Sequence, residues 1–267
     1  MMQFTPSYSH SAEGSPLLVY YSNTAKIDSF NPFSLLVLDS HYHPPLRPLE
    51  DRGKTLLGYI SLGEVENIRP YFKKVKDDGI VLFENKNWQG SYFIDVRDKR
   101  WTKRVIEELI PDILRKGFHG LFLDTLDNPP HLERINPKKY ADMTQAAINL
   151  VLAIRYHYPD IIIMMNRGYE LLPDVGGDLD MVLGEAVYTR FDFTTKQYVY
   201  VAKKEYQIQV TMLKAAQKSF PKLKIYTLDY WNPKDSKGVA DIYAQQYKNG
   251  FLPYVSTLAL DEIISPP

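Results

Sequence analysis

The stretch GFHGLFLDTLD, residues 117–127, decides the fold. The segment before it, 101–116, places Val105, Ile106, Leu109, Ile110, Ile113 and Leu114 at helical spacing, and Gly117 stops that helix. Pro111 is expected to bend or split it. After the glycine, Leu121, Phe122 and Leu123 form a short apolar run that ends on Asp124. A run apolar on both faces is a strand buried in a parallel sheet, and an acid at its C-terminal end is how a β/α barrel presents a functional group. Residues 181–184, Met-Val-Leu-Gly, end the same way on Glu185.

Working outward, apolar runs alternate with longer helical patterns along the whole chain, which predicts βα units and a parallel sheet. Strands are expected at 17–22, 35–39, 56–61, 121–124, 161–165, 181–187, 224–229 and 251–256. Eight strands close a barrel, so the fold class is α/β, a single (β/α)8 TIM barrel over residues 17–267 behind a polar extension, 1–16. A second helix is expected from an N-cap at Asn136 and Pro137 to about Tyr158, and a third over 198–220. Residues 63–98 read as a long βα loop with some local structure.

Composition narrows the function. Lys+Arg and Asp+Glu both number 32 in 267 residues, which gives no reason to expect a nucleic-acid or anionic-membrane surface. Cysteine is absent, which excludes disulfides, thiolate metal sites and thiol nucleophiles. No apolar run approaches the roughly 18 residues of a membrane span. The first 16 residues lack the basic and apolar regions of a signal peptide, so a cytosolic protein and the mature form of an exported one both fit. A monomer without cofactor is expected.

Barrels keep their chemistry at the C-terminal strand ends. Here strand 2 ends at Asp39 and strand 3 leads through Ser61-Leu62-Gly63 to Glu64. Strand 4 ends at Asp124, strand 5 at Asn166-Arg167, strand 6 at Glu185 and strand 7 at Asp229-Tyr230. Each buried carboxylate costs several kcal/mol unless paired, so a set this polar calls for a function. Asp124 and Glu185 are the candidate catalytic pair, since two carboxylates on one barrel mouth are the minimum for glycosidic cleavage. Gly184 leaves space beside Glu185 for a ligand or a neighbouring backbone. Asp39, Tyr59, Glu64, Asp127, Asn166, Asp229 and Tyr230 are candidate substrate contacts, while Tyr20 and Tyr59 are each free to face pocket or barrel. Arg167 reads as the partner of a carboxylate. Trp88, Trp101 and Trp231 are candidate stacking platforms, with packing preferred for Trp101. His41 and His43 have the spacing of metal ligands but precede Pro44-Pro45 in a loop, so no metal site is expected.

The chain also resembles glycoside hydrolase family 114, the endo-α-1,4-polygalactosaminidase-like TIM barrels. The matching pieces are YISLGEVE (59–66), NWQGSYFIDVRDKRW (87–101), GFHGLFLDTLD (117–127), IIIMMNRG (161–168), LGEAV (183–187) and LDYW (228–231). They occur in the family's order and together span roughly residues 17–260. The resemblance implies that the strand 4 and strand 6 carboxylates, Asp124 and Glu185, are catalytic, and that the partner is a galactosamine-containing carbohydrate. It also favours a secreted or periplasmic location. The chain departs from the family in having His119 where Gly-Phe-Asp-Gly is usual; that position opens the strand, on the barrel's stability face. By analogy with other α-glycosidase barrels, Asp124 is expected to be the nucleophile and Glu185 the acid/base of a retaining reaction. The alternatives are a non-catalytic carbohydrate-binding barrel and a metal-dependent hydrolase using His41 and His43.

Overall fold

The structure is a computed structural model that describes residues 16–267. The expected polar extension, apart from Pro16, lies outside the described residues. Eight parallel strands form a nearly closed barrel with helices between them: β1 (Leu17–Tyr20), β2 (Leu35–Asp39), β3 (Thr55–Ser61), β4 (Gly120–Asp124), β5 (Ile162–Asn166), β6 (Met181–Glu185), β7 (Lys224–Tyr230) and β8 (Leu252–Ser256). Spatial order follows chain order, and the Tyr21 N–H donates to the Leu260 carbonyl at 2.7 Å where the first and last strands approach.

Strand register decides which side chains meet, because matched residues on parallel neighbours face the same side. Asp39 is level with Tyr59, and Tyr59 with Phe122. Ser61 is level with Asp124, Glu185 with Leu228 and Tyr230 with Ser256. This set shares the barrel interior, above buried Val37 and Leu57. Burying each such side chain contributes roughly 1.5–3 kcal/mol. Alternate residues, Asp229 among them, face the surrounding helices.

Two elements differ from the sequence reading and one agrees. The helix around Pro111 is divided, as expected, into Lys99–Arg104, a π-turn over Val105–Leu109, and Ile110–Arg115. The wider π-turn fits a proline that lacks an N–H and clashes with the preceding turn. Asn136 closes a helix, Asn128–Ile135, instead of opening one; the next runs Met143–His157 after Asp142 at φ 67°. Pro129 and Pro130 fit the first turn of the earlier helix, where no N–H is needed. Residues Gln197–Tyr200 are a strand paired with Thr189–Asp192, so the third helix begins only at Lys203 and ends at Ser219.

The stretch 63–98 holds a three-stranded antiparallel sheet, Glu64–Glu66, Val81–Glu84 and Ser91–Ile94, with a helix at Phe72–Asp77. Gly63 starts it: a Cβ there would lie 2.2 Å from the Thr125 carbonyl oxygen, so only glycine allows β3 and β4 to leave the barrel this close together.

Candidate active site

The mouth of the barrel opens into a cavity of about 600 Å³, within the range of small-molecule sites. Asp124 and Glu185 stand at its floor, on β4 and β6, with Asn166 of β5 between them. The Asn166 Nδ2 donates to Asp124 Oδ1 at 2.8 Å and to Glu185 Oε2 at 2.6 Å. Those two oxygens therefore lie within 5.4 Å of each other, the combined length of the two bonds. The outer oxygens each take a phenol: Tyr59 O–H donates to Asp124 Oδ2 at 2.8 Å, and Tyr230 O–H to Glu185 Oε1 at 2.6 Å. The arrangement is a symmetric chain, phenol, carboxylate, amide, carboxylate, phenol. The Asn166 Oδ1 is buried and has no protein partner.

Backbone geometry aims these groups. Thr125, Arg167 and Ala186, the residues just after β4, β5 and β6, have φ of 65°, 53° and 53°. Each such non-glycine turn costs about 1 kcal/mol, so three in a row at one face mark a constrained site. They are locked by cross-strand bonds. The Arg167 N–H donates to the Leu183 carbonyl at 2.9 Å and the Ala186 N–H to that of Leu228 at 2.7 Å. The Thr125 hydroxyl donates to the Asp124 carbonyl at 2.6 Å and accepts the Gly63 N–H at 2.8 Å.

Burial lifts the Asp124 pKa, and the neighbouring Glu185 charge lifts it further, to about 7. The Asn166 and Tyr59 hydrogen bonds pull the other way. Burial, together with the nearby carboxylates, raises Tyr21, Tyr59 and Tyr230 well above the usual phenol value, so all three remain protonated donors. Tyr21, not Tyr20, lines the cavity, its ring edge-on to Tyr59 at 5.2 Å; Tyr20 is buried against Phe30.

The other expected contacts divide. Asp127 lies at the rim, 42% exposed, with Oδ2 3.2 Å from Arg167 Nε, so Arg167 does face a carboxylate. Asp39 lines the cavity but its oxygens are taken by Arg69, at 2.7 and 3.1 Å, and by the His41 and Tyr42 N–H groups. Burial alone would raise its pKa; Arg69 and those N–H groups outweigh it and hold Asp39 below the usual carboxylate value. Glu64 is buried and accepts from Asn85, Asn128 and Ser91, tying the 63–98 insertion to the helix after β4.

Asp229 is a correction. It is fully buried on the outer side of β7, where it accepts from the Tyr188 and Thr189 N–H groups and from Gln246 at 2.6 Å. Adjacent strand residues face opposite ways, so Tyr230 reaches the cavity and Asp229 does not. Gly184 is another: a Cβ there would meet Val187 and Leu213 at 2.8 and 2.9 Å, so the space serves helix packing, not a ligand.

Trp101 is buried with its N–H on the Leu62 carbonyl, and Trp231 packs on Tyr200, whereas Trp88 lines the cavity. His43 turns to the Pro44 carbonyl and Phe118, and His41 to Ser40 and Arg69. Among the described residues no group of three or more His, Asp or Glu is placed to hold a metal ion. His119 sits at the strand starts, its Nδ1 accepting the Leu56 N–H at 3.0 Å.

Sequence reasoning missed Tyr21, Arg69, Asn85 and Asn128. Arg69 spans Asp39 and Glu66 and lies 5.7 Å from the centre of the Tyr59 ring. Arg69 and Asn85 come from the insertion after β3 and Asn128 opens the helix after β4, so no strand-end signal marks them.

Comparison with known proteins agrees with the geometry. The profile of "Glycoside-hydrolase family GH114" matches residues 11–266. The chain is 25% identical to an uncharacterised protein of Thermotoga maritima over 90% of its own length and 81% of that protein's. Among solved structures it resembles the glycoside hydrolase domain of PelA from Pseudomonas aeruginosa, with TM-score 0.81 and 23% identity, covering 94% of this chain and 97% of that one. It also resembles Ega3 from Aspergillus fumigatus, solved in complex with galactosamine, with TM-score 0.69 and 16% identity, covering 97% and 98%. At these identities the structural likeness is one of fold.

Proposed function

The chain belongs to glycoside hydrolase family GH114, and from that premise we propose that it hydrolyses α-linked galactosamine-containing polysaccharide with Asp124 and Glu185 as the reacting pair. The observation that carries this reading is the pair itself, two carboxylates linked through one amide nitrogen at the floor of an open cavity. Retaining glycosidases hold their carboxyl groups about 5–5.5 Å apart and inverting ones about 6.5–9.5 Å; with facing oxygens no more than 5.4 Å apart, we adopt a double displacement with retention, which the anomer of the released product tests. In the first step Asp124 attacks the anomeric carbon while Glu185 protonates the departing glycosidic oxygen. In the second, Glu185 takes a proton from water, which displaces the sugar from Asp124. Tyr59, Tyr230 and Asn166 hold both carboxyl groups in place.

The substrate class follows from charge. Six carboxylates, Asp39, Glu64, Glu66, Asp124, Asp127 and Glu185, line the cavity against two cations, Arg69 and Arg167. Such a field concentrates a cationic amino sugar. A bound ammonium also lowers the pKa of Asp124 and so helps ionise the nucleophile it is about to meet.

The elevated pKa of Asp124 favours a second reading, in which Asp124 is the proton donor and Glu185 the nucleophile. Azide added to alanine variants decides between them. If Asp124 is the nucleophile, Asp124→Ala yields a glycosyl azide of inverted configuration and Glu185→Ala one of retained configuration; the opposite pattern establishes the second reading. Digestion of α-1,4-galactosamine oligomers with wild type and Glu185→Gln tests the activity itself. Shorter products from wild type alone are expected, and intact oligomers from both overturn it.

A further inference from the structure

Two surface aromatics remain unused by the chemistry above. Trp88 lies in the turn between Val81–Glu84 and Ser91–Ile94, in the insertion after β3. Phe193 lies at the turn between Thr189–Asp192 and Gln197–Tyr200, after β6. Strands β4 and β5, with Asp124 and Asn166, lie between these two origins in the barrel. The hairpins nonetheless meet, edge to face, with ring centroids 5.6 Å apart and planes at 80°. Both rings stay about half exposed, 51% and 48%.

Each ring is held out by its own turn. The Trp88 backbone N–H donates to the Asn85 carbonyl at 3.3 Å, and the Trp88 carbonyl accepts the Ser91 N–H at 3.0 Å. The Asn85 and Ser91 side chains are fixed by Glu64, which gives that buried acid a role in the site without a free oxygen for substrate. In the other hairpin, Asp192 accepts the Thr194 and Thr195 N–H groups at 2.8 and 3.1 Å. Phe193 leans on Phe191, which leans on Tyr198, at 5.4 and 5.5 Å. The Tyr198 hydroxyl accepts the Leu258 N–H at 3.2 Å, and Leu258 lines the cavity. Rings kept for stability would be buried; these two are pre-positioned and left open.

We propose that Trp88, backed by Phe193, is the platform for a second sugar ring, adjoining the one held at Asp124 and Glu185. The proposal rests on the glycan reading of the site. Its occupant follows from continuity, since Trp88 lines the same cavity as both carboxylates. An indole face attracts the ammonium of a protonated amino sugar and packs on the apolar face of its ring. A single ring bound at the carboxylates leaves the platform vacant, so the platform favours chains over short glycosides.

The test is a binding series in Glu185→Gln with galactosamine and α-1,4-galactosamine oligomers of increasing length, followed by titration calorimetry, whose signal does not depend on the ring being replaced. Affinity is expected to rise with length, and Trp88→Ala to cut the long-to-short affinity ratio by about tenfold. Phe193→Ala should cut it less, and Trp88→Tyr should restore most of it. An unchanged ratio in Trp88→Ala, or equal losses for one ring and for many, overturns the platform. The two readings fail separately. A wild type that cleaves nothing while Trp88-dependent length preference persists removes the glycosidase and keeps the platform. Cleavage with a length preference that Trp88→Ala leaves intact does the reverse.

Discussion

At Asp124, function and stability oppose each other. Its folded-state pKa of about 7 stands above its ordinary 3.8, so the folded protein holds that proton more tightly than the unfolded chain does. The resulting stabilisation is fully present below pH 3.8 and is lost as pH rises through about 7. At pH 8 the protein therefore carries a buried charge that Asp124→Asn removes. We expect that variant to lose at least about 10³-fold in rate yet to unfold at higher urea concentration at pH 8, by roughly 1–3 kcal/mol. The gain should fade toward pH 4, and a variant less stable at pH 8 would refute it. Tyr59 supplies a companion prediction. Its O–H favours the charged form of Asp124, so Tyr59→Phe raises that pKa further. With Asp124 as nucleophile, kcat/KM rises with pH through a limb near 7, and Tyr59→Phe should move that limb to higher pH. A limb that falls above 7 instead identifies Asp124 as the acid.

At the scale of elements, β7 shows what a strand-end rule can and cannot read. Asp229 and Tyr230 are equally polar and adjacent, yet one fixes the loop after β6 from outside the barrel and the other reaches Glu185. Asp229→Ala would leave two N–H groups and the Gln246 amide unpaired in a buried site, at a cost of about 2–4 kcal/mol. Thermal unfolding should register that loss, while KM for glycan stays within about threefold, because Asp229 does not line the cavity. A large KM change with unaltered stability would return it to the site. All eight barrel strands were legible because each is an apolar run buried on both faces. Register was not: it alone separates inward from outward, and it lies in no local pattern. Helix boundaries failed where proline fits more than one position, as at Pro129 and Pro137. The 197–200 strand was hidden because its partner is eleven residues or fewer away in a hairpin that apolar periodicity does not mark. Asp39 and Glu64 were found as acids, but their partners leave no such signal: Arg69 and Asn85 lie in the insertion after β3, and Asn128 opens the helix after β4.

At the scale of the whole molecule, charge is distributed against the average. The chain is neutral, with 32 basic and 32 acidic residues, while its cavity holds six carboxylates and two guanidinium groups. Arg69 is committed to Asp39 and Glu66, and Arg167 faces Asp127, so each cation is matched at close range. What remains unmatched is the Asp124–Glu185 pair with Glu64, and Glu64 is satisfied by neutral donors. The field felt by an approaching ligand therefore originates mainly at the floor of the cavity, at the proposed reacting pair. A field of this depth acts on a cationic sugar after entry more than on its encounter at long range, because the rest of the chain, with 30 basic and 26 acidic residues, does not draw a cation in. Salt screens exposed charges over a Debye length of about 10 Å at 0.1 M and reaches enclosed ones poorly. For fully deacetylated oligomers, kcat/KM should thus fall only modestly, by about two- to fivefold, between 20 mM and 500 mM salt. Fully N-acetylated oligomers, which carry no charge, should show no salt dependence. A loss of a hundredfold or more would mean that substrate is gathered by a broad surface field outside the cavity. Equal rates on both oligomers, insensitive to salt, would mean that the acid excess plays no part in choosing the sugar.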